Sequence, residues 1–183
     1  MYADNSLTPR EAIRLCALGI LAHETSSRRK SLHYDDLVFS VRHFVSRITG
    51  PSLDLMGESI ELLRYEGLVE SEDAQNVNPS LKITETGRAS LQTLLKANLR
   101  AGNSDLNELI IALKFRFLHL LAPEDQRAQA SQLIDMCDTE LARLDDLLFH
   151  HDPEGGHFTE WLKHDIQRLE ERLNWLTVFR DKL

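Results

Sequence analysis

The stretch LLRYEGLVESED, residues 62–73, constrains the fold more than any other part of the chain. It reads as a helix that stops at Gly67 and runs straight into a strand opening at Leu68-Val69. Upstream, Leu53, Met56, Ile60 and Leu63 step by three and four, the spacing of one helical face. Downstream, Asn76, Asn78 and Pro79 mark a turn, and SLKIT returns as a second strand. Thr84 is placed to cap a further helix, ETGRASLQTLLKANL.

Two more helices precede this hairpin. In LTPREAIRLCALGILA, Thr8 caps, Pro9 suits the first helical position, and Glu11 completes a capping box. Ile13, Ala17, Ile20 and Leu21 then form an apolar stripe. The polar stretch HETSSRRKSLH breaks the pattern. A second helix begins near Asp35, with Leu37, Val38, Val41, Phe44 and Val45 on its inner face. Gly50 and Pro51 end it, and Ser52 suits the cap of the third. Three helices, a two-stranded hairpin and a further helix, in that order, make a winged helix.

Beyond RAGNS the pattern is purely helical. Leu106, Leu109, Ile110, Leu113, Phe117, Leu120 and Leu121 form a wide apolar face. Pro123 opens the next helix, carrying Ile134, Cys137, Leu141, Leu144 and Leu148. After the loop HHDPEGGHF, the last helix bears Leu162, Ile166, Leu169, Leu173 and Leu176 at spacings of three and four. Stripes of this kind are seams for packing against other helices, and these are long enough for a short helical dimerisation domain. The expected fold is mainly α: a winged helix-turn-helix domain over residues 1–100, then a helical dimerisation domain over 101–183. A two-fold homodimer satisfies the stripes economically.

Composition bounds the function. At 183 residues and 42% hydrophobic, the chain can bury one good core or two small ones. No apolar run approaches the length of a membrane span, and the N-terminus lacks the basic-then-apolar pattern of a signal peptide. Cys16 and Cys137 sit inside apolar helical patterns with no CxxC context, which implies buried reduced thiols and a cytoplasmic home. The net charge is −8. Residues 1–95 hold 10 basic and 13 acidic side chains, and residues 96–183 hold 11 and 16. That balance argues against indiscriminate nucleic-acid binding.

The order and wording of these motifs resemble the PadR-type transcriptional regulators over nearly the full chain. LTPREAIRLCALGILA is similar to that family's opening helix, RYEGLVES to its recognition-helix exit, and ITETGRASL to its Thr-x-x-Gly-Arg entry into the helix after the wing. LAPEDQRAQASQLIDMCDTELARL and RLEERLNWLTVFRDKL resemble its C-terminal helices, including a Leu-x-Trp-Leu at Leu173–Leu176. The resemblance implies a homodimer that binds a palindromic operator. The departures fall on the DNA-reading part. His33-Tyr34 lacks the glycine of the family's His-Gly-Tyr, and Gly57-Glu58 stands where the family has Tyr-Pro. Glu61-Leu62 stands where the family has basic residues. A carboxylate accepts from cytosine in the major groove but is repelled by phosphates. Asp54, Glu58 and Glu61 therefore oppose the family's usual recognition mode.

The remaining DNA-binding candidates are Arg28, Arg29 and Lys30 in the loop before the second helix, Arg42 and Arg47 along it, Lys82 in the wing, and Arg88. They either clamp a phosphate backbone or solvate a surface. The dimer-interface candidates are Leu162, Ile166, Leu169, Leu173, Trp175 and Leu176. Trp161 and Trp175 are packing anchors or, as the resemblance implies, the walls of an inter-subunit pocket for a small planar effector. His150, His151, His157 and His164 match no zinc spacing, so no metal is expected, and His119 ends an apolar helix facing solvent or an interface. No phosphate loop or nucleophile elbow is present, so neither catalysis nor a cofactor is expected. Two functions follow: a PadR-like DNA-binding regulator, or a winged-helix module that has lost DNA binding and uses its acidic third helix to bind a protein partner.

Overall fold

The computed structural model describes residues 6–26, 31–50, 56–73, 76–99, 105–150 and 156–183. Two compact units divide the chain, Met1–Leu121 and Ala122–Leu183.

The first unit is a winged helix. Its elements are α1 (Pro9–Ser26), β1 (Leu32–His33), α2 (Tyr34–Thr49), α3 (Met56–Tyr65), β2 (Val69–Ser71), β3 (Ser80–Ile83), α4 (Glu85–Leu95) and α5 (Asp105–Phe117), closed by a short 3-10 turn at Leu118–Leu120. The capping box of α1 forms as expected: Thr8 N–H donates to the Glu11 carboxylate at 2.7 Å, and Glu11 N–H donates to Thr8 Oγ1 at 3.3 Å. The expected stripe on α1 understates its burial. Ala12, Leu15, Cys16 and Leu18 are buried along with Ile13, Ala17, Ile20 and Leu21, because α2, α3, α4, α5 and β3 all pack on this helix. A helix apolar all round belongs at the centre of a core. Gly19 lets the Phe117 ring lie on the α1 backbone, where a Cβ would come within 2.5 Å of it. Burial pushes the Cys16 thiol up to about 12, against the pull of Arg116, so it is a packing residue and not a nucleophile.

The end of α3 forms a Schellman motif. Leu68 N–H donates to Leu63 O at 2.9 Å and Gly67 N–H to Arg64 O at 3.1 Å, with Gly67 at φ +70°. Leu63 and Leu68 are both buried at this closure. The sheet has three strands in the order β1-β3-β2, not two. Leu32 and His33, in the stretch read as a polar break, pair antiparallel with Leu81 and Ser80. A two-residue strand has no periodicity to detect, and its pairing comes from the partner. The same contact starts α2: Tyr34 N–H donates to Pro79 O, and Asp35 N–H donates to Asn78 Oδ1 at 3.0 Å. A side chain from the turn between β2 and β3 thus caps a helix more than forty residues away in sequence.

α5 packs on α1 and α2 in this unit. This compact unit runs to Leu121, past residue 100, at which the winged-helix domain was expected to end. Lys114 of α5 is only 2% exposed, and its ammonium donates to Leu95 O at 2.6 Å and Ala97 O at 2.8 Å. It caps the carbonyl end of α4 from another helix.

The second unit is a helical hairpin of α6 (Pro123–His150) and α7 (Phe158–Asp181). The two run antiparallel: Leu144 meets Leu162 and Ile166 at one end, and Arg127 donates to Leu183 O at the other. Leu141, Leu148 and Leu169 flank the first cluster. Part of the expected dimer seam is therefore consumed within the chain. Leu162, Ile166 and Leu176 are buried, Leu169 and Leu173 are half-buried, and Trp175 is exposed. Among the described residues, no helix is long and apolar enough to cross a membrane.

Candidate nucleic-acid interface

In a winged helix the third helix and the wing present the reading surface. Here α3 buries Ile60 and Leu63 and exposes Glu61, Leu62, Arg64 and Tyr65. Tyr65 is 91% exposed, an aromatic ring standing almost free of the domain. Tyr34, at the start of α2, shares this surface. Its hydroxyl is held above the usual tyrosine value by burial first, then by the charges of Glu61 and Asp35, with Arg64 acting oppositely. Arg64 is thus the cation that α3 offers at this corner. Its location on the exposed face was not among the residues that sequence reasoning selected, although its position before Tyr65-Glu66-Gly67 was the available signal.

The acidity of residues 61–73 resolves into two groups. Two carboxylates serve the fold. Glu66 pairs with Arg14 of α1 at 2.7 Å, tying the end of α3 to the core helix. Asp73 accepts from Ser80 N–H at 2.7 Å and from Asn76 Nδ2 at 3.1 Å, organising the turn. These hydrogen bonds hold the Asp73 carboxyl below its ordinary value. Glu61, Glu70 and Glu72 remain exposed toward solvent. Lys82 lies directly opposite Glu70 in the strand register, on the half-buried part of the wing.

The expected cations are spread over separate elements. Arg42 and Arg47 are exposed on α2, and five residues of helix place them about 140° apart around the axis, so they do not form one stripe. Arg88 is half-buried on α4. Arg28, Arg29 and Lys30 lie outside the described residues, as do Pro51, Ser52, Asp54 and His151, and no side chain is described for Glu58. Beyond the wing, His23 and His119 meet with ring nitrogens 3.2 Å apart. Among the described residues, no group of three His, Cys, Asp or Glu side chains could hold a metal ion.

Between α3 and β2 lies an open groove of about 930 Å³. Leu62 and Tyr65 form one wall, with Glu61 and Arg64 at its rim, and Val69, Glu70 and Ser71 form the other. The Ser71 hydroxyl is shielded from solvent and makes no hydrogen bond among the described residues. Sequence reasoning identified both walls, as helix exit and wing, without the space between them.

A family model described as "Putative AphA-like transcriptional regulator" matches residues 2–180. Among solved structures, the chain is similar to PadR of Bacillus subtilis at 15% identity, with 96% of each chain covered and a TM-score of 0.39. It is similar to the same protein in complex with operator DNA at 14% identity, over 93% of this chain and 98% of that one, with a TM-score of 0.35. The protein smu.1604c from Streptococcus mutans UA159 matches at 17% identity, over 93% of this chain and 97% of that one, with a TM-score of 0.37. No curated protein matches. The family model agrees with the resemblance to transcriptional regulators drawn from the sequence.

Proposed function

Because this chain belongs to the AphA-like family of transcriptional regulators, we propose that it works as a homodimer that binds operator DNA through its two winged helices. The observation that carries the reading is the family match over residues 2–180 of a chain whose first unit is a winged helix. On this reading the loop cations Arg28, Arg29 and Lys30 neutralise phosphates, joined by Arg42, Arg47, Lys82 and Arg88. Base contact falls to the exposed end of α3. The two heads of a dimer must then stand about 34 Å apart to enter successive major grooves.

Fluorescence polarisation on duplexes from the native upstream region and on random duplexes at low salt tests DNA binding directly. Absence of binding to every duplex defeats the reading. Reversing Arg28, Arg29 and Lys30 to glutamate should weaken binding to all sequences alike. It should also reduce the slope of log K against log salt by up to about 3, close to one unit per phosphate contact. An unchanged slope would remove that loop from the contact surface.

Dimerisation is supported by the side chains that α7 leaves uncovered. Trp161 and Trp175 are 55% and 52% exposed, and Val178 stands with them. Phe158 stacks on Trp161 and Phe179 on Trp175, giving two aromatic ledges on one helix. Large apolar side chains left in water favour a second copy as cover, and a small planar effector fits the same ledges by stacking. Of the six interface residues named from the sequence, Trp175, Leu173 and Leu169 are those still able to meet a partner. A charge at Leu173, as in Leu173→Glu, should convert a two-chain species to one chain by light scattering. A mass that stays at two chains would refute that seam.

A second reading, an interaction module whose acidic third helix binds a basic protein partner, is favoured by the exposed Glu61 and Leu62 on α3. Binding of a basic partner in the absence of any duplex affinity would select it.

A further inference from the structure

We propose that the groove between α3 and β2 is a docking site for an extended, lysine- or arginine-bearing segment of a protein partner, which adds to β2 as a fourth strand. The proposal rests on the second reading and gives it a place and a binding mode.

The backbone pattern makes β2 receptive. Glu72 N–H donates to Ser80 O, and Thr84 N–H donates to Leu68 O. With Glu70 opposite Lys82, these fix Leu68, Glu70 and Glu72 as the residues whose backbone groups face β3. The N–H and C=O of Ser71 therefore point the other way, off the edge of the sheet, as do those of Val69, a residue only 4% exposed, so Ser71 is where an added strand first pairs. β2 is an edge strand of the described sheet, and an edge of this kind is the template for strand addition. The groove runs along that edge. Its far wall supplies what a bare edge lacks: the apolar surface of Leu62 and the nearly free ring of Tyr65, onto which side chains of an added strand can pack.

Charge selects the occupant. The groove presents Glu61 and Glu70 against Arg64, and Glu72 continues the acidic edge. A second copy pairing through its own β2 would bring Glu70 and Glu72 against the same carboxylates, which like-charge repulsion between strands disfavours. A duplex would bring phosphates to the same carboxylates, so this occupant belongs to the second reading and competes with the first. A segment with alternating cationic and apolar residues meets Glu61 and Glu70 with one set and Leu62 and Tyr65 with the other.

The test uses the full chain and a fluorescent synthetic peptide of alternating lysine and valine. Four companions complete it: a glutamate-valine peptide, a lysine-valine peptide N-methylated at alternate backbone nitrogens, and the Glu61→Lys/Glu70→Lys and Ser71→Pro variants. Proline at residue 71 deletes an N–H that the β2–β3 ladder does not use, so far-ultraviolet circular dichroism should be unchanged. The expected result is saturable binding of the lysine-valine peptide, at least tenfold weaker binding for the N-methylated peptide and for both variants, and none for the glutamate peptide. Amide resonances of Val69 and Ser71 should shift on titration. Three results overturn the proposal. Equal binding by Ser71→Pro and by the N-methylated peptide would leave a basic partner without strand addition. Absence of any basic-peptide binding would remove the second reading as well. A concentration-dependent two-chain mass abolished by Ser71→Pro would assign the edge to a second copy.

Discussion

Gly87→Ala is expected to destabilise the first unit by about 2–4 kcal/mol, although alanine is the better helix former by about 1 kcal/mol. Gly87 lies in the first turn of α4, where its N–H donates to Thr84 Oγ1 at 3.0 Å. The same hydroxyl donates to Gly67 O at 2.8 Å, so Thr84 joins the start of α4 to the end of α3. A Cβ on residue 87 would fall 2.1 Å from the carbonyl oxygen of Leu68, and that carbonyl already accepts from Thr84 N–H. The closest overlap is with backbone, the Ile83 side chain coming next at 2.9 Å, so no side-chain movement relieves it. The overlap therefore outweighs the propensity gain. Gly67→Ala is the control: Gly67, at φ +70° in the Schellman closure of α3, has nothing within 4 Å of the added Cβ. It should cost only the strain of a left-handed alanine, about 1 kcal/mol. Urea unfolding monitored by circular dichroism measures both. A Gly87→Ala cost no larger than that of Gly67→Ala would show that Leu68 and α4 separate freely.

Lys114→Met should be a pH-dependent lesion. Burial pushes the Lys114 ammonium down to about 8 from the ordinary lysine value of 10.5. The unfolded chain therefore holds a proton that the folded chain has shed between those two values, and wild-type stability gains with rising pH across that window. Below pH 8 both states are charged and the cost of burying the charge is borne in full. Both protonation states can satisfy the carbonyls of Leu95 and Ala97, since the neutral amine still has two N–H groups. Methionine keeps the stem but donates to neither. The destabilisation by Lys114→Met should accordingly be larger at pH 10 than at pH 7 by about 2–3 kcal/mol. Taking the difference between the two proteins cancels the other groups that titrate there. A destabilisation that stays constant with pH would place the folded pKa of Lys114 at its unfolded value.

The parts of the fold legible in the sequence share one physical property: they are local. The Thr8 capping box, the Gly67 stop and the Thr84 cap involve partners within a few residues, so residue type and spacing suffice to specify them. The helical stripes are legible for the same reason, since burial follows from periodicity before the covering element is known. The mainly α winged helix with a helical second part follows from their order. The candidate interface was legible only as a deficit of cations on α3. The sequence did not reveal that Glu66 and Asp73 are spent on the fold, because Arg14 and Ser80 come to them from other elements.

What the tertiary structure alone decided is where partners lie far apart in the chain. A stripe of leucines on α7 specifies that something must cover it, and says nothing about what does. The antiparallel return of α6 supplies part of that cover within the chain, leaving Trp161 and Trp175 as the uncovered remainder. β1 exists because Leu81 and Ser80 offer it a ladder, and α2 begins where Asn78 caps it. A lysine in the apolar run LIIALKFRF carries no sign that two orphaned carbonyls of another helix await it. Residue pattern by itself determined which faces must be hidden and where helices end. Which surfaces meet, and so which edge and groove stay open to a partner, was decided by long-range packing, since a hydrogen bond or contact across the chain is encoded in neither of its partners alone.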